Sequence, residues 1–277
     1  MLGISATVER KDKLTKVLYM FIGNKIYSEK RDNDDLVCVR GIHYKTNDSE
    51  FNETETDFRG KTKYSTMITK LCDFGPRSDF ILKVLKDLIE EEPENQIMIL
   101  SHNRSLLTYL YEGINHRNIG STGYYVGGMK QEKLQETESK QIVLATYAMA
   151  AEALDIKSLS TLVMVTPKTD IIQSVGRILR VKHENPIVVD IIDPHDVFKN
   201  QWVQRRRYYK KCNYRIWETD STKYTGMCMN WQDPTVNTVW KRVFEPKGGV
   251  TSSDANLEYE DSRQNKCLID VSMFKDV

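Results

Sequence analysis

Residues 96–117 read QIMILSHNRSLLTYLYEGINHR. The first six form an apolar run without alternation, closed by Ser101, and from Asn103 the apolar positions take up helical spacing. A strand that is apolar on both faces needs cover on both faces, the habit of parallel sheets joined by crossover helices. The pattern repeats outward from this stretch. Downstream, strands are predicted at 123–126 (GYYV), 141–146 (QIVLAT), 161–165 (TLVMV) and 186–192 (PIVVDII). Helices are predicted at 129–139 and 169–180, and a loop carries Glu152 to Ile156. Upstream, LVCVRGIH (36–43) reads as a strand rich in β-branched residues, and helices are predicted over 62–72 and 78–92, the second with a stripe of Ile81, Leu85 and Leu88. The expected fold class is α/β, three layers around a mostly parallel sheet. Ligands of such sheets sit beyond the carboxyl ends of the strands. Ser101 to Arg104, Gly127 to Lys130, Thr146 to Ala148 and Thr166 to Thr169 therefore fall on one rim.

The helix predicted at 169–180, TDIIQSVGRILR, follows Pro167 and has Thr169 or Asp170 to cap it. At about 100° per residue, Gln173, Arg177 and Arg180 share one narrow arc, while Ile171, Val175, Ile178 and Leu179 occupy the other. Two guanidiniums at that spacing suit a polyanion such as a nucleotide triphosphate; a surface helix with solvated arginines has the same pattern. A longer basic helix is predicted over 195–214, containing Arg205-Arg206-Arg207-Tyr208-Tyr209-Lys210-Lys211. Such cations and aromatics could track a phosphate backbone and stack bases. The favoured reading packs Trp202 and Tyr209 onto the sheet and leaves the cations in solvent.

With 40 Lys+Arg against 39 Asp+Glu, net charge is +1, so an anion site must come from local placement rather than a general field. Five scattered cysteines without a C-x-x-C pair point to reduced thiols, and no His/Cys/carboxylate cluster has ligand spacing, so no protein-held transition metal is expected. No apolar run approaches the roughly 18 residues that cross a bilayer, and the start lacks the shape of a signal peptide. The expectation is a soluble intracellular protein without a membrane partner. Residues 45–60 are polar and acidic, and beyond about residue 218 no clear period is seen.

In order, the chain carries LGISATVERKDKLTK, IMILSHNR, YYVGGMK, IVLATYAMAAEALDI and IIQSVGRILR. The set resembles motif III, motif IV, the segment between IV and V, motif V and motif VI of superfamily 2 helicases. It is nearest to the branch that holds XPB-like and UvsW-like DNA helicases and the transcript-release helicases of large cytoplasmic DNA viruses. The resemblance spans residues 1–214 and implies a RecA-like fold. It places the end of a first RecA-like domain at 1–35, a linker at 36–60, a second RecA-like domain at 61–214, and a helical or irregular C-terminal extension at 215–277. It implies arginine fingers at Arg177 and Arg180, with Gln173 near the γ-phosphate, and Asp155 and Gly176 at the nucleotide. Ser101, Asn103, Arg104, Gly128 and Thr146 would contact the backbone of a nucleic-acid strand, DNA by the branch it resembles. Ser5 and Thr7 would couple nucleotide state to domain movement. A viral origin would put the protein in the host cytoplasm or the virion.

Two positions depart from the family pattern: Val8 replaces a usual Pro, and Ala153 a usual Gly. ATP and Mg²⁺ would be held mainly by the first RecA-like domain, in the same polypeptide or a separate one, since the phosphate loop and acidic motif precede motif III in such motors. Gly60-Lys61-Thr62 imitates the end of that loop, but Glu55 stands where its first Gly belongs. Asp190-Ile191-Ile192-Asp193 imitates an acidic box at the end of a late strand. MLGISATVER begins in what reads as a buried strand, so Met1 is expected to be an internal residue of a longer polypeptide or the start of a split gene. The two functional expectations are the C-terminal half of an ATP-dependent helicase or translocase, inactive alone, and a non-hydrolysing module that binds nucleic acid or a partner helicase.

Overall fold

The apolar runs that lack alternation become the interior of a single sheet. The computed structural model describes residues 15–23, 26, 37–152, 156–171, 174–176, 183, 185–226 and 239–246, all within the compact unit Met1–Pro246. In chain order the elements are α1 (Thr15–Ile22), β1 (Cys38–His43), α2 (Ser49–Asn52), α3 (Tyr64–Asp73), α4 (Gly75–Glu91), β2 (Gln96–Ser101), α5 (Arg104–His116) and β3 (Thr122–Tyr125). There follow α6 (Gln131–Glu138), β4 (Ile142–Thr146), α7 (Tyr147–Glu152), β5 (Leu159–Met164), β6 (Ile187–Ile192), α8 (Asp196–Lys211), β7 (Arg215–Asp220) and β8 (Lys241–Phe244). The strand order is β3-β4-β2-β5-β6-β1-β7-β8. All pairs are parallel except β7 with β8 at the edge.

Each face carries its own core, as the absence of alternation requires. On one face α3, α4 and α5 bury Met67, Leu71, Ile81, Leu85 and Leu107 against Ile42, Ile97 and Val189. On the other, Leu134 of α6, Tyr147 and Ala150 of α7, and Trp202 and Tyr209 of α8 pack with Val39, Met98, Val143 and Val188. Ile171 and Val175 join this second core, the burial expected of the apolar back of the 169–180 helix.

Three features differ from the expectation. The strand read at 36–43 is β1, but it belongs to the domain and not to the linker that the resemblance placed at 36–60: it lies inside the sheet between β6 and β7 in continuous register from Cys38 to His43. Arg40 on that strand is buried and pairs through both terminal nitrogens with Glu91 at the end of α4. A short helix, α7, stands where a loop was read after residue 146. The described parts of the C-terminal extension include two strands: β7 reads RIWETD, whose only apolar residues, the adjacent Ile216 and Trp217, enter one core each, so the strand carries no apolar run. No described helix is long and apolar enough to cross a membrane.

Candidate nucleic-acid interface

The carboxyl ends of β3, β4, β2 and β5 are consecutive in the sheet. At about 4.8 Å between strands they extend over roughly 14 Å. The loop after β2 leads into α5 on the first core's face, whereas β4 and β5 on either side lead to residues of the second core. Connections that part in this way open a crevice at the strand ends, the usual ligand position of an open parallel sheet. Ser101 and Thr146 are register partners at that opening.

Within the crevice, Asn103 caps α5, its Oδ1 accepting from Ser105 N at 2.7 Å. Arg104 is the first helical residue, and its Nη2 donates to Gly127 O at 2.7 Å, tying the loop after β2 to the loop after β3. Gly128 has φ +87°, a conformation glycine adopts without strain. Beside Arg104 a cavity of about 230 Å³ is lined by Leu107, Thr108, Tyr124 and Val126. Ser101 is fully buried, and its hydroxyl is 3.0 Å from both Asn103 N and Asn103 O. That hydroxyl shapes the turn and does not face solvent. The crevice therefore unites Asn103, Arg104, Gly128 and Thr146 at its surface, with Ser101 beneath.

The loop after β5 is held with unusual completeness. Four successive carbonyls each accept from a side chain of a different element. Arg77 Nη2 of α4 donates to Val165 O at 2.7 Å. Tyr147 of α7 donates to Thr166 O at 2.6 Å, Tyr64 of α3 to Pro167 O at 3.0 Å, and Arg205 Nη1 of α8 to Lys168 O at 2.9 Å. Carbonyls turned away from the sheet ladder need such partners when buried. The two arginines are themselves fixed by carboxylates of the imitation acidic box. Arg77 binds Asp193 at 2.5 and 2.8 Å, and Arg205 binds Asp190 at 2.6 and 2.8 Å. All four side chains are essentially buried. Asp190 and Asp193 are thus consumed by structural pairs and are not presented to a cation.

Thr166 also joins this loop to the crevice. Its hydroxyl oxygen lies 3.0 Å from His102 N and 2.9 Å from His102 Nδ1. Desolvation of the imidazole, with Lys168 nearby, lowers its pKa to about 4, so the ring is neutral at pH 7. Backbone N donates to the Thr166 oxygen, whose own proton is then free for Nδ1. Tyr147 packs against His102 with ring centroids 4.6 Å apart and planes tilted by 47°, and Lys168 lies 4.6 Å from the Tyr147 ring centre. Burial pushes the Tyr147 phenol far up, keeping it a donor.

Of the remaining expected positions, Gly176 lies in a helical turn at 174–176, whose neighbour Val175 donates to Ile171 O at 2.8 Å. Gln173, Arg177, Arg180, Asp155, Ser5 and Thr7 lie outside the described residues. The basic helix follows the packing reading with two changes: Arg205 is buried instead of solvated, and Arg206 pairs with Glu218 at 3.1 Å. The clamping roles of Tyr64, Arg77, Tyr147, Thr166 and Arg205 escaped the sequence reading, although Tyr147 and Thr166 were placed on the rim. One signal was available, because two aspartates in and after a fully apolar strand need buried cations to accompany them.

Residues 81–182 match the helicase conserved C-terminal domain. The chain is 38% identical over 223 residues to a predicted ATP-dependent RNA helicase of Acanthamoeba polyphaga mimivirus, covering 78% of this chain and 43% of that protein. It is 24% identical over 244 residues to a protein of African swine fever virus with the same description, covering 80% of this chain and 47% of that one. Among solved structures, T4 UvsW has the same fold at a TM-score of 0.50 and 20% identity, covering 66% of this chain and 41% of that chain. The chain spans about half the length of the curated relatives it matches.

Proposed function

From the premise that this chain carries the C-terminal domain of a superfamily 2 helicase, we propose that it is the C-terminal half of an ATP-dependent nucleic-acid helicase or translocase. The observation that carries the reading is the crevice at β2, where Asn103, Arg104, Gly128 and Thr146 meet on one rim next to the clamped loop that leads into residues 169–180. Backbone amides, a guanidinium and a hydroxyl at strand ends hold phosphates without reading bases. The strand is contacted through its backbone; the relatives' names favour RNA and the resemblance to the UvsW-like branch favours DNA.

ATP supplies the energy, and a preceding RecA-like domain holds most of it together with Mg²⁺. In this chain the nucleotide fits the donor set of residues 169–180. Ile171 and Val175, the apolar arc of the sequence pattern, are buried in the second core; on that pattern Gln173, Arg177 and Arg180 would share the opposite arc. Gln173 would bind near the γ-phosphate, Arg177 and Arg180 would offset charge developing on the transferred phosphoryl group, and Asp155 and Gly176 would border the nucleotide. Ser5 and Thr7 would relay nucleotide state to the movement of one domain against the other.

The test is strand-stimulated ATP hydrolysis by this chain alone and joined to its ATP-binding domain. The joined protein is expected to turn over ATP and the chain alone not to. In the joined protein, Arg177→Ala and Arg180→Ala are expected to abolish hydrolysis and spare strand binding, and Arg104→Ala to weaken strand binding and flatten its salt dependence. Robust hydrolysis by the chain alone would overturn the reading. Strand binding without hydrolysis in the joined protein would favour a non-hydrolysing binding module.

A further inference from the structure

Gly60-Lys61-Thr62, the imitation of a phosphate loop, closes a small hairpin with a different character. Thr56 and Thr62 form an antiparallel bridge, and Lys63 N donates to Glu55 O at 2.9 Å just below it. Asp57 organises the tip. Its Oδ1 accepts from Arg59 N and Lys61 N, both at 2.9 Å, while its backbone carbonyl accepts from Gly60 N at 2.9 Å. Gly60 has φ +75°. The amides that a phosphate loop would offer to a nucleotide are therefore occupied by an aspartate of the same turn.

What the turn presents outward is Phe58. Its side chain is 92% exposed, and the Arg59 guanidinium carbon lies 5.0 Å from the ring centre. Arg59, Lys61 and Lys63 are exposed and form no ion pair among the described residues; of the acids beside them, Asp57 is engaged by the turn and Glu55 by Lys70 at 3.7 Å, while Glu53 at the base is exposed. The base is anchored, with Lys70 donating to Glu53 O at 2.9 Å and Glu55 N lying 3.3 Å from the sulfur of buried Met67. One residue past the hairpin, Tyr64 reaches Pro167 O, so the hairpin springs from the rim that carries the crevice.

A phenyl ring left in water on a fastened turn, flanked by three cations without ion pairs among the described residues, one of them over the ring, matches the two requirements of sequence-tolerant single-strand binding: an aromatic platform and a surrounding positive surface. Because the turn is already ordered, little further conformational entropy is lost when a base lands on it. We propose that Phe58 is a base-stacking platform for single-stranded nucleic acid, with Arg59, Lys61 and Lys63 holding the adjoining phosphates. This extends the proposed strand interface and rests on that reading.

The 277-residue chain is titrated with fluorescein-labelled dT12 and with an abasic 12-mer of the same backbone. Phe58→Ala is expected to weaken dT12 binding about fivefold or more and to leave abasic binding unchanged. Phe58→Trp is expected to restore dT12 affinity and to add emission, relative to the parent, that dT12 quenches and the abasic strand does not. With Phe58 almost wholly in solvent, neither substitution disturbs packing. Equal dT12 affinity for the parent and Phe58→Ala would overturn the stacking role while leaving the crevice reading standing. Failure of the parent to bind either strand would overturn both. Unchanged strand binding with weakened attachment to the ATP-binding domain would assign the tip to a protein contact and also overturn the proposal.

Discussion

Arg205→Met isolates the energetics of the clamp on the loop after β5. The parent guanidinium makes two hydrogen bonds to Asp190 and one to Lys168 O, and both charged side chains are about 1% exposed. Methionine has similar reach and removes all three bonds. Stranding a buried carboxylate in this way costs about 3–5 kcal/mol, and the lost bond to Lys168 O adds about 1 kcal/mol. Against a domain stability of about 5–15 kcal/mol, that is a large fraction. The neighbouring Arg206→Met provides the scale: its pair with Glu218 is partly open to solvent, with 34% of the arginine side chain exposed, and should cost under about 1 kcal/mol.

Urea unfolding followed by tryptophan emission measures both variants. Burial raises the Asp190 carboxyl and Arg205 is the main influence drawing it down, so the variant should also titrate differently. With its folded pKa raised above the unfolded one, Asp190 loses its ionisation penalty as it becomes protonated. The deficit of Arg205→Met should consequently shrink as the pH falls from 7 toward 5. Arg205→Met/Asp190→Leu, with no charge left to strand, should recover most of the loss. A cost below about 1 kcal/mol for Arg205→Met at pH 7, about that of an exposed pair, would refute the claim that this ion pair is buried and stabilising.

Two further outcomes follow from the same geometry. Tyr147→Phe leaves Thr166 O without its donor and should cost about 1–3 kcal/mol, read as a lowered urea midpoint at unchanged slope; no change would mean that the carbonyl finds another partner. His195 is buried, its Nε2 lies 2.7 Å from Phe51 O, and its Nδ1 has no partner among the described residues. Burial lowers its pKa, so stability is fully present above the unfolded value near 6.5 and is lost as pH falls toward the folded value. His195→Gln should flatten the dependence of stability on pH between 7 and 5, and an unchanged slope would show that this ring does not control it.

The legible parts of the fold were those where burial is one-dimensional. β2, β4, β5 and β6 are apolar at nearly every position because both faces are covered, and that requirement is written locally. β7 was not legible, because RIWETD has only two apolar residues among its charged ones and its pairing with β1 depends on residues far away in the chain. The crevice was legible as a set of strand ends, since Arg104, Gly128 and Thr146 follow apolar runs directly. The clamp was not, because Tyr64, Arg77, Tyr147 and Arg205 come from four elements and converge only in space. Likewise, the sequence marked Asp190 and Asp193 only as an imitation of an acidic box, and their structural role is plain only once their arginines are placed.

The interior position of β1 has a consequence for how the chain acquires its shape. A strand at 38–43 must wait for partners near residues 187 and 215 before its ladder can form, and closing loops of that length is slow relative to the neighbouring pairings of β2, β4 and β5. The β6 side of the sheet should therefore zip up last. A polypeptide trimmed to the matched span 81–182 would lack β6 and β1 altogether, leaving β5 as an open edge suited to intermolecular pairing. The smallest cooperative unit reaches back at least to the strand at 38–43, well upstream of the segment by which the family is recognised.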